Sequence, residues 1–434
     1  MTKIHSRDAG NPAYDWYTLD NAAKIYPSTA SEHSPAVFRL FVTLKEPVKS
    51  WILQQAIEAV MPRFPYFQVY LRRGWFWYYL QRHHHIPRIR PLEPTPVSRI
   101  PVRAGSSHLL HVSAGRNIIA VDFSHILTDG NGGIRFLISL IAEYLRLCGM
   151  PIGSHENFLH PQDPPHPEEY EDAYKRYFIK GAPGPGHYSP AYHIPGRPAQ
   201  AGRFRTITGR ISVDQMLDRT RKEGVTLTEY LAALMIYCLA RIYQEEVDQG
   251  KKHRRSIIRL EVPVNLRSFY PSGTMRNFSL YVSPEIDMKL GPYDFEELLK
   301  HVHHSMRIQI NRKELSRQIS RNVGAEFNPL IRFLPLFIKD RFVNWIHSRM
   351  GERLYSGVLS NLGKISLPAE MESSVQSIHV VLSPNRMMKT SCTVIGYQND
   401  IHINFCSLVE SRNLERLFFT HLVEYGISVH IKES

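Results

Sequence analysis

Four cysteines in 434 residues, Cys148, Cys238, Cys392 and Cys406, are too few and too scattered for a disulfide framework. None pairs as CxxC, so neither a zinc site nor a redox motif is signalled. Cys238, Cys392 and Cys406 sit in apolar runs and read as small buried hydrophobes. The opening stretch MTKIHSRDAGNPAYDW has no apolar core of a signal peptide. No run approaches 18 uncharged apolar residues. The best, Phe327 to Ile346, is interrupted by Arg332, Lys339, Asp340 and Arg341, so no transmembrane segment is expected. A cytoplasmic, soluble, monomeric protein is the expectation. Nothing repeats with a heptad or collagen period, and 43% hydrophobic with 21% charged residues excludes a disordered chain. Acidic residues are outnumbered: 40 Asp and Glu against 53 Lys and Arg leave a net charge of +13. Such a surface attracts anions, whether nucleic acid, acidic lipid, phosphorylated cofactors or an acidic protein.

Strand and helix patterns alternate along both halves. In the first, Val48 to Met61 has helical spacing, and Phe67 to Leu71 with Trp75 to Leu80 reads as an aromatic hairpin. His108 to Ser113 and Asn117 to Phe123 read as a second hairpin, and Ile134 to Leu147 as an apolar helix. Residues 151 to 202 are dense in Pro and Gly, with one helical stretch around Glu168 to Lys180, and read as a crossover linker. The second half continues with a strand from Arg203 to Ile211 and helices Val213 to Glu223 and Leu227 to Val247. Strands are expected at Ile257 to Val264, Phe278 to Ile286, Leu354 to Ser360, Val375 to Leu382, Ser391 to Gly396 and Ile401 to Leu408, with a closing helix from Asn413 to His430. This predicts an α/β chain of two sandwich-like halves: residues 1–180, a linker over 181–202, and residues 203–434. A cleft between domains is the usual place for a ligand.

One segment combines chemistry-bearing residues. Ala120-Val-Asp-Phe-Ser-His125-Ile-Leu-Thr-Asp129-Gly130 runs from an apolar strand into a His, an Asp four residues on, and a Gly-rich helix start. A histidine at a strand end is otherwise a hydrogen-bonded structural residue. Two further stretches stand out: Val262-Pro-Val-Asn265-Leu-Arg267 and Leu359-Ser360-Asn361-Leu362-Gly363. His83-His84-His85 and the triplet His301, His303, His304 crowd imidazoles together. No Cys or carboxylate follows at ligand spacing, so they read as a solvated loop and a helix face, and no metal is expected.

HILTDG resembles the HxxxDG motif of the chloramphenicol acetyltransferase-like superfamily, which includes peptide-synthetase condensation domains, BAHD acyltransferases, wax-ester synthases and alcohol O-acetyltransferases. PVNLR is similar to a strand of that family's second lobe, and Asn277 sits where these families often have an Asn. SNLG looks like the strand end of the alcohol-acetyltransferase and wax-synthase branches. Ser124 replaces the first His of the condensation-domain HHxxxDG, and the BAHD sequence DFGWG is absent; both favour the alcohol O-acetyltransferase branch.

The resemblance implies two α+β two-layer lobes with a cleft between them, His125 at their junction in a channel open at both ends, and SNLG facing it. It implies acyl transfer, acetyl first among the groups, from coenzyme A or a phosphopantetheine carrier-protein thioester to a small hydroxylated acceptor. No resident cofactor is expected, and an acyl carrier protein is a possible partner. His125 would be the general base, Asp129 would pair with Arg267 to hold the loop, and Gly130 would give the turn its backbone freedom. Ser360 and Asn361 would serve the oxyanion from the facing lobe. The basic run Lys251 to Arg255 reads as a solvated loop, with the phosphates of coenzyme A as the functional alternative. Two other classes remain beside this one: a non-catalytic condensation-like module, and a basic protein binding nucleic acid or anionic lipid.

Overall fold

The computed structural model describes residues 16–31, 34–93, 100–101, 107–155, 158–181, 188–196 and 204–433. The Pro/Gly-rich linker expected over 181–202 lies mostly outside the described residues, as does Arg203. Within it, Ala191 bridges to Ile257.

Two large sheets carry the chain. The first runs Val375–Leu382, Val37–Leu44, Ile118–Ser124, Leu110–Ala114, Arg90–Pro91. Val37–Leu44 reads VFRLFVTL, β-branched and aromatic as a central strand requires. Its one charge, Arg39, lies opposite Asp122 on the neighbouring strand and binds both carboxylate oxygens at 2.8 Å. Helices Ser50–Val60 and Gly130–Leu147 contribute apolar faces to the same core. A small sheet of Trp16–Thr18, Tyr78–Arg82 and Val69–Arg73 belongs to this half.

The second sheet runs Ser279–Val282, Ile257–Asn265, Gly357–Ile365, Thr390–Tyr397, Asp400–Ser407, Arg205–Ser212, Val429–Glu433. Glu285–Asp287 also pairs with Ile257–Asn265. Helices Val213–Glu223, Leu227–Asp248, Phe295–Gln309 and Asn413–Glu424 pack with it. The longest of these starts at a capping box: the Glu229 amide donates to Thr226 Oγ1 at 3.3 Å, and the Thr226 amide donates to Glu229 Oε2 at 2.7 Å.

The halves are not consecutive pieces of chain. Val375–Leu382, expected within the second, is an edge strand of the first sheet, antiparallel to Val37–Leu44. It also joins the two sheets: Ser391 Oγ donates to the Leu382 carbonyl at 2.5 Å and Thr393 Oγ1 to that of Val380 at 2.6 Å.

Three expected elements are different in detail. The closing helix stops at Glu424; Gly426 takes φ 80°, and the chain turns back as the strand Val429–Glu433. Phe278 to Ile286 divides at Pro284 into two short strands, because proline cannot donate to the ladder. Glu168 to Lys180 is a turn of 3₁₀ helix, Pro167–Tyr170, and a four-residue helix, Ala173–Arg176.

Candidate active site

His125 follows the strand Ile118–Ser124, and its amide donates to the Ala36 carbonyl at 2.9 Å. The ring lies against Phe38, with centroids 4.8 Å apart, and stacks on Tyr26 at 5.5 Å and 23°. It keeps partial solvent contact, yet protein crowds around it. Burial pushes its pKa from the ordinary 6.5 down to about 4, against the upward pull of the Asp129 carboxylate, the Thr128 backbone and Asn277. The shift favours the neutral imidazole.

The loop after His125 is clamped by residues 265–278 of the other half. Asn277, almost fully buried, donates to the His125 carbonyl at 2.9 Å and to Asp20 Oδ2 at 3.0 Å. Thr128 Oγ1 donates to the Met275 carbonyl at 2.6 Å. Asp129 is the cap of helix Gly130–Leu147, accepting from the Gly132 amide at 3.2 Å. Its Oδ2 accepts from Arg267 Nη1 and from the Phe278 amide, both at 2.8 Å. Arg267 Nη2 reaches Asp129 Oδ1 at 3.4 Å and also donates to the carbonyls of Thr274 and Arg276 at 2.8 and 2.6 Å. Arg267 Nη1 also reaches Asn265 Oδ1 at 3.3 Å. The carboxylate thus turns toward Arg267 and the backbone.

Gly130 acts differently from the expectation. It is the first helical residue and does not have a positive φ, so it lends no unusual backbone freedom. What it offers is space: a Cβ there would stand 2.6 Å from Leu362 Cδ2 of the SNLG strand end. Gly132, which the motif does not contain, is tighter still, its Cβ meeting the Met275 carbonyl and Thr128 Oγ1 at 2.2 Å.

Ser360 and Asn361 part company. Side chains alternate along Gly357–Ile365. Leu359 is buried in the second core, and Asn361 Nδ2 donates to Thr228 Oγ1 at 2.9 Å at the start of helix Leu227–Asp248. Asn361 Oδ1 accepts from the Gly363 amide at 2.9 Å. Ser360 lies on the opposite face, and Leu362 packs on the first core beside Gly130. Only the Ser360 side of the pair faces the first half.

Two cavities, of about 190 and about 10 Å³, lie elsewhere: one between the end of helix Leu227–Asp248 and the start of Asn413–Glu424, the other beneath helix Gly130–Leu147. Neither forms the expected channel at His125, where Tyr26 and Phe38 pack against the ring. Both aromatics were invisible to motif reading, because they come from the segment before the motif. In the second cluster His301 Nε2 bonds the Glu285 carbonyl and His303 Nδ1 bonds Glu229, while in the first the His85 amide donates to His83 Nδ1 at 3.1 Å. Among the described residues no group of three His, Cys, Asp or Glu could hold a metal ion.

No family model matches the chain, and no curated protein does. Solved structures do. A mutant starter condensation domain of rhizomide synthetase RzmA, in complex with C8-CoA and Leu-SNAC, aligns with TM-score 0.59 and 12% identity over 95% of this chain and 94% of its own. Polyketide synthase associated protein 5 from Mycobacterium tuberculosis aligns with TM-score 0.59 and 16% identity over 94% of this chain and 98% of its own. The wax ester synthase/diacylglycerol acyltransferase of Marinobacter aquaeolei VT8 gives 0.54 and 12% over 94% and 100%. At such identities the likeness speaks to the fold alone: the chain has the two-lobed fold of these condensation-domain and wax ester synthase structures.

Proposed function

We propose that the protein is an acyltransferase that moves an acyl group from a coenzyme A or carrier-protein thioester to a hydroxyl. The observation that carries this is the position of His125 at the junction of the halves, its loop held by Asn277 and by the Asp129–Arg267 pair, where burial pushes its pKa down and favours the neutral ring. An alcohol attacks a thioester only as it loses its proton, and an imidazole free of charge at pH 7 can take it. His125 accepts that proton while the hydroxyl oxygen bonds to the thioester carbonyl carbon. The tetrahedral adduct then expels the thiolate, which receives the proton back from His125. Ser360 serves the developing oxyanion, being on the face turned toward the first half. Asn361, whose amide is engaged by Thr228, keeps the strand end in place instead. No covalent enzyme intermediate arises. Residues 1–180 and 203–434 supply the two lobes, the second lending Val375–Leu382 to the first.

The acceptor is a hydroxylated small molecule, and the SNLG strand end favours the alcohol O-acetyltransferase branch with acetyl as the group moved. A screen for thiol release from acyl-CoAs of graded length, offered alcohols and amines, tests this with wild type beside His125→Ala. A positioned general base contributes about 10²–10⁴-fold. Turnover unchanged in His125→Ala removes the residue from the mechanism, and no turnover with any pair favours the non-catalytic module.

A further inference from the structure

The aromatic-rich stretch Phe327 to Ile346 folds largely into the helix Leu336–Met350, preceded by the short helix Pro329–Arg332. Trp75, Phe333, Phe337, Ile338, Phe342 and Trp345 are 40–89% exposed. At 100° per residue, Phe337, Ile338, Arg341, Phe342 and Trp345 fall within an arc of about 140°. One face of this helix is thus apolar and turned to solvent, the reverse of a helix that packs on a core. The aromatic hairpin turn extends the same surface. The Leu336 amide donates to the Trp75 carbonyl at 2.9 Å, and Lys339 Nζ donates to that of Phe76 at 2.9 Å while sitting 3.5 Å from the Trp77 ring centre.

Cations outnumber anions around this surface. Arg72, Arg73 and Arg332 are exposed at its edges, and Arg341 is exposed within the arc itself. The single carboxylate of residues 332–345, Asp340, turns away from the aromatic face, accepting from Ser28 Oγ at 2.7 Å and Tyr78 OH at 2.9 Å and standing 3.9 Å from Arg73 Nη2, so Arg72, Arg332 and Arg341 carry the excess positive charge. A second copy of the chain would bring this basic edge against its own equivalent, which disfavours self-pairing. An anionic bilayer meets both properties at once: aromatic side chains enter the headgroup boundary while arginines pair with lipid phosphates and carboxylates.

We propose that the aromatic face of helix Leu336–Met350, together with the Trp75–Phe76 turn, docks on the surface of an anionic lipid bilayer. Among the described residues no single helix is long and apolar enough to cross a membrane, so the contact lies in the plane of the interface. The docked surface is close to the candidate site. Asp340 holds Ser28, which shares the short helix Tyr26–Thr29 with the ring stacked on His125.

Co-sedimentation of the full chain tests this with vesicles of phosphatidylcholine alone and of phosphatidylcholine mixed with phosphatidylserine. The phosphatidylserine vesicles should bind the protein more tightly, less so as salt rises, with the protein's tryptophan emission shifting to the blue as Trp75 and Trp345 enter the bilayer surface. Phe337→Ser/Phe342→Ser/Trp345→Ser should weaken binding by about tenfold or more. Arg332→Glu/Arg341→Glu, which leaves the aromatics in place, should remove the preference for phosphatidylserine. Wild-type protein that stays in solution with both vesicles overturns the proposal. So does a triple variant that binds as wild type, or one that instead abolishes self-association seen by light scattering.

Discussion

The Asp129–Arg267 pair closes the clamp on the loop after His125, and its strength is spread over several hydrogen bonds. Asp129 accepts four hydrogen bonds: two from Arg267 and one each from the Phe278 and Gly132 amides. Its side chain is 7% exposed, so water cannot replace a lost partner. Arg267→Met strips the guanidinium and leaves the carboxylate with the two amides, which favour the anion but do not neutralise it. Breaking a buried pair in this way costs about 3–5 kcal/mol, and the surviving amides place this case near 3. Asp129→Asn is milder. Arg267 still donates to the carbonyls of Thr274 and Arg276 and to Asn265 Oδ1, so the loss is that of charge-assisted bonds, about 1–3 kcal/mol. The double variant removes both charges, so it should be hardly less stable than Arg267→Met alone. Urea unfolding of the four proteins, read as midpoint shifts at constant slope, supplies the cycle. A double variant whose loss equals the sum of the singles within about 0.5 kcal/mol would show that the two residues do not act as a pair.

Four further expectations are simple to check. His125→Ala should fold normally and lose about 10²–10⁴-fold in thioester turnover. Because the folded imidazole has a pKa near 4 and the unfolded one near 6.5, the unfolded chain binds the extra proton between those values. Its contribution to stability is whole above pH 6.5 and is lost as pH falls toward 4; the slope in that window should shrink in His125→Gln, and the acid limb of kcat/KM should lie near pH 4 rather than 6.5. Gly132→Ala should destabilise by about 3 kcal/mol or more, because its Cβ meets a backbone carbonyl. Gly130→Ala meets only the movable end of Leu362, costs about 1 kcal/mol, and is relieved by Leu362→Ala, all by thermal melts. Thr226→Ala breaks the capping box and should cost about 1 kcal/mol by the same measurement.

Elements with strong periodicity were legible in the sequence. Helices Ser50–Val60, Val213–Glu223 and Leu227–Asp248, and strands such as Val375–Leu382, fall within a few residues of expectation. Where tertiary packing decides, local pattern was silent. Val37–Leu44 takes its identity from two neighbours distant in sequence, and the helices of residues 295–350 carry too mixed a pattern to mark a face. At the candidate site, the motif pointed to Asp129 and Arg267, which the fold brings within 2.8 Å across 138 residues of chain. It could not show that Asn361 is occupied by Thr228, that Gly130 makes room for Leu362, or that Tyr26 and Phe38 flank His125. Those depend on which faces of separate elements meet, and a residue string does not encode that.

The loan of Val375–Leu382 to the first sheet has a consequence for synthesis. As the first 370 residues leave the ribosome, Val37–Leu44 has a partner on one side only, with a row of unpaired backbone groups on the other. An open apolar edge is a template for pairing with another chain. The first lobe is thus exposed to misassociation through most of translation, and closes only when residues near the C-terminus arrive. Truncations that end before Val375 should therefore aggregate even though they retain His125 and the whole HxxxDG segment, whereas the same fragment supplied with residues 375–382 as a peptide should become more soluble.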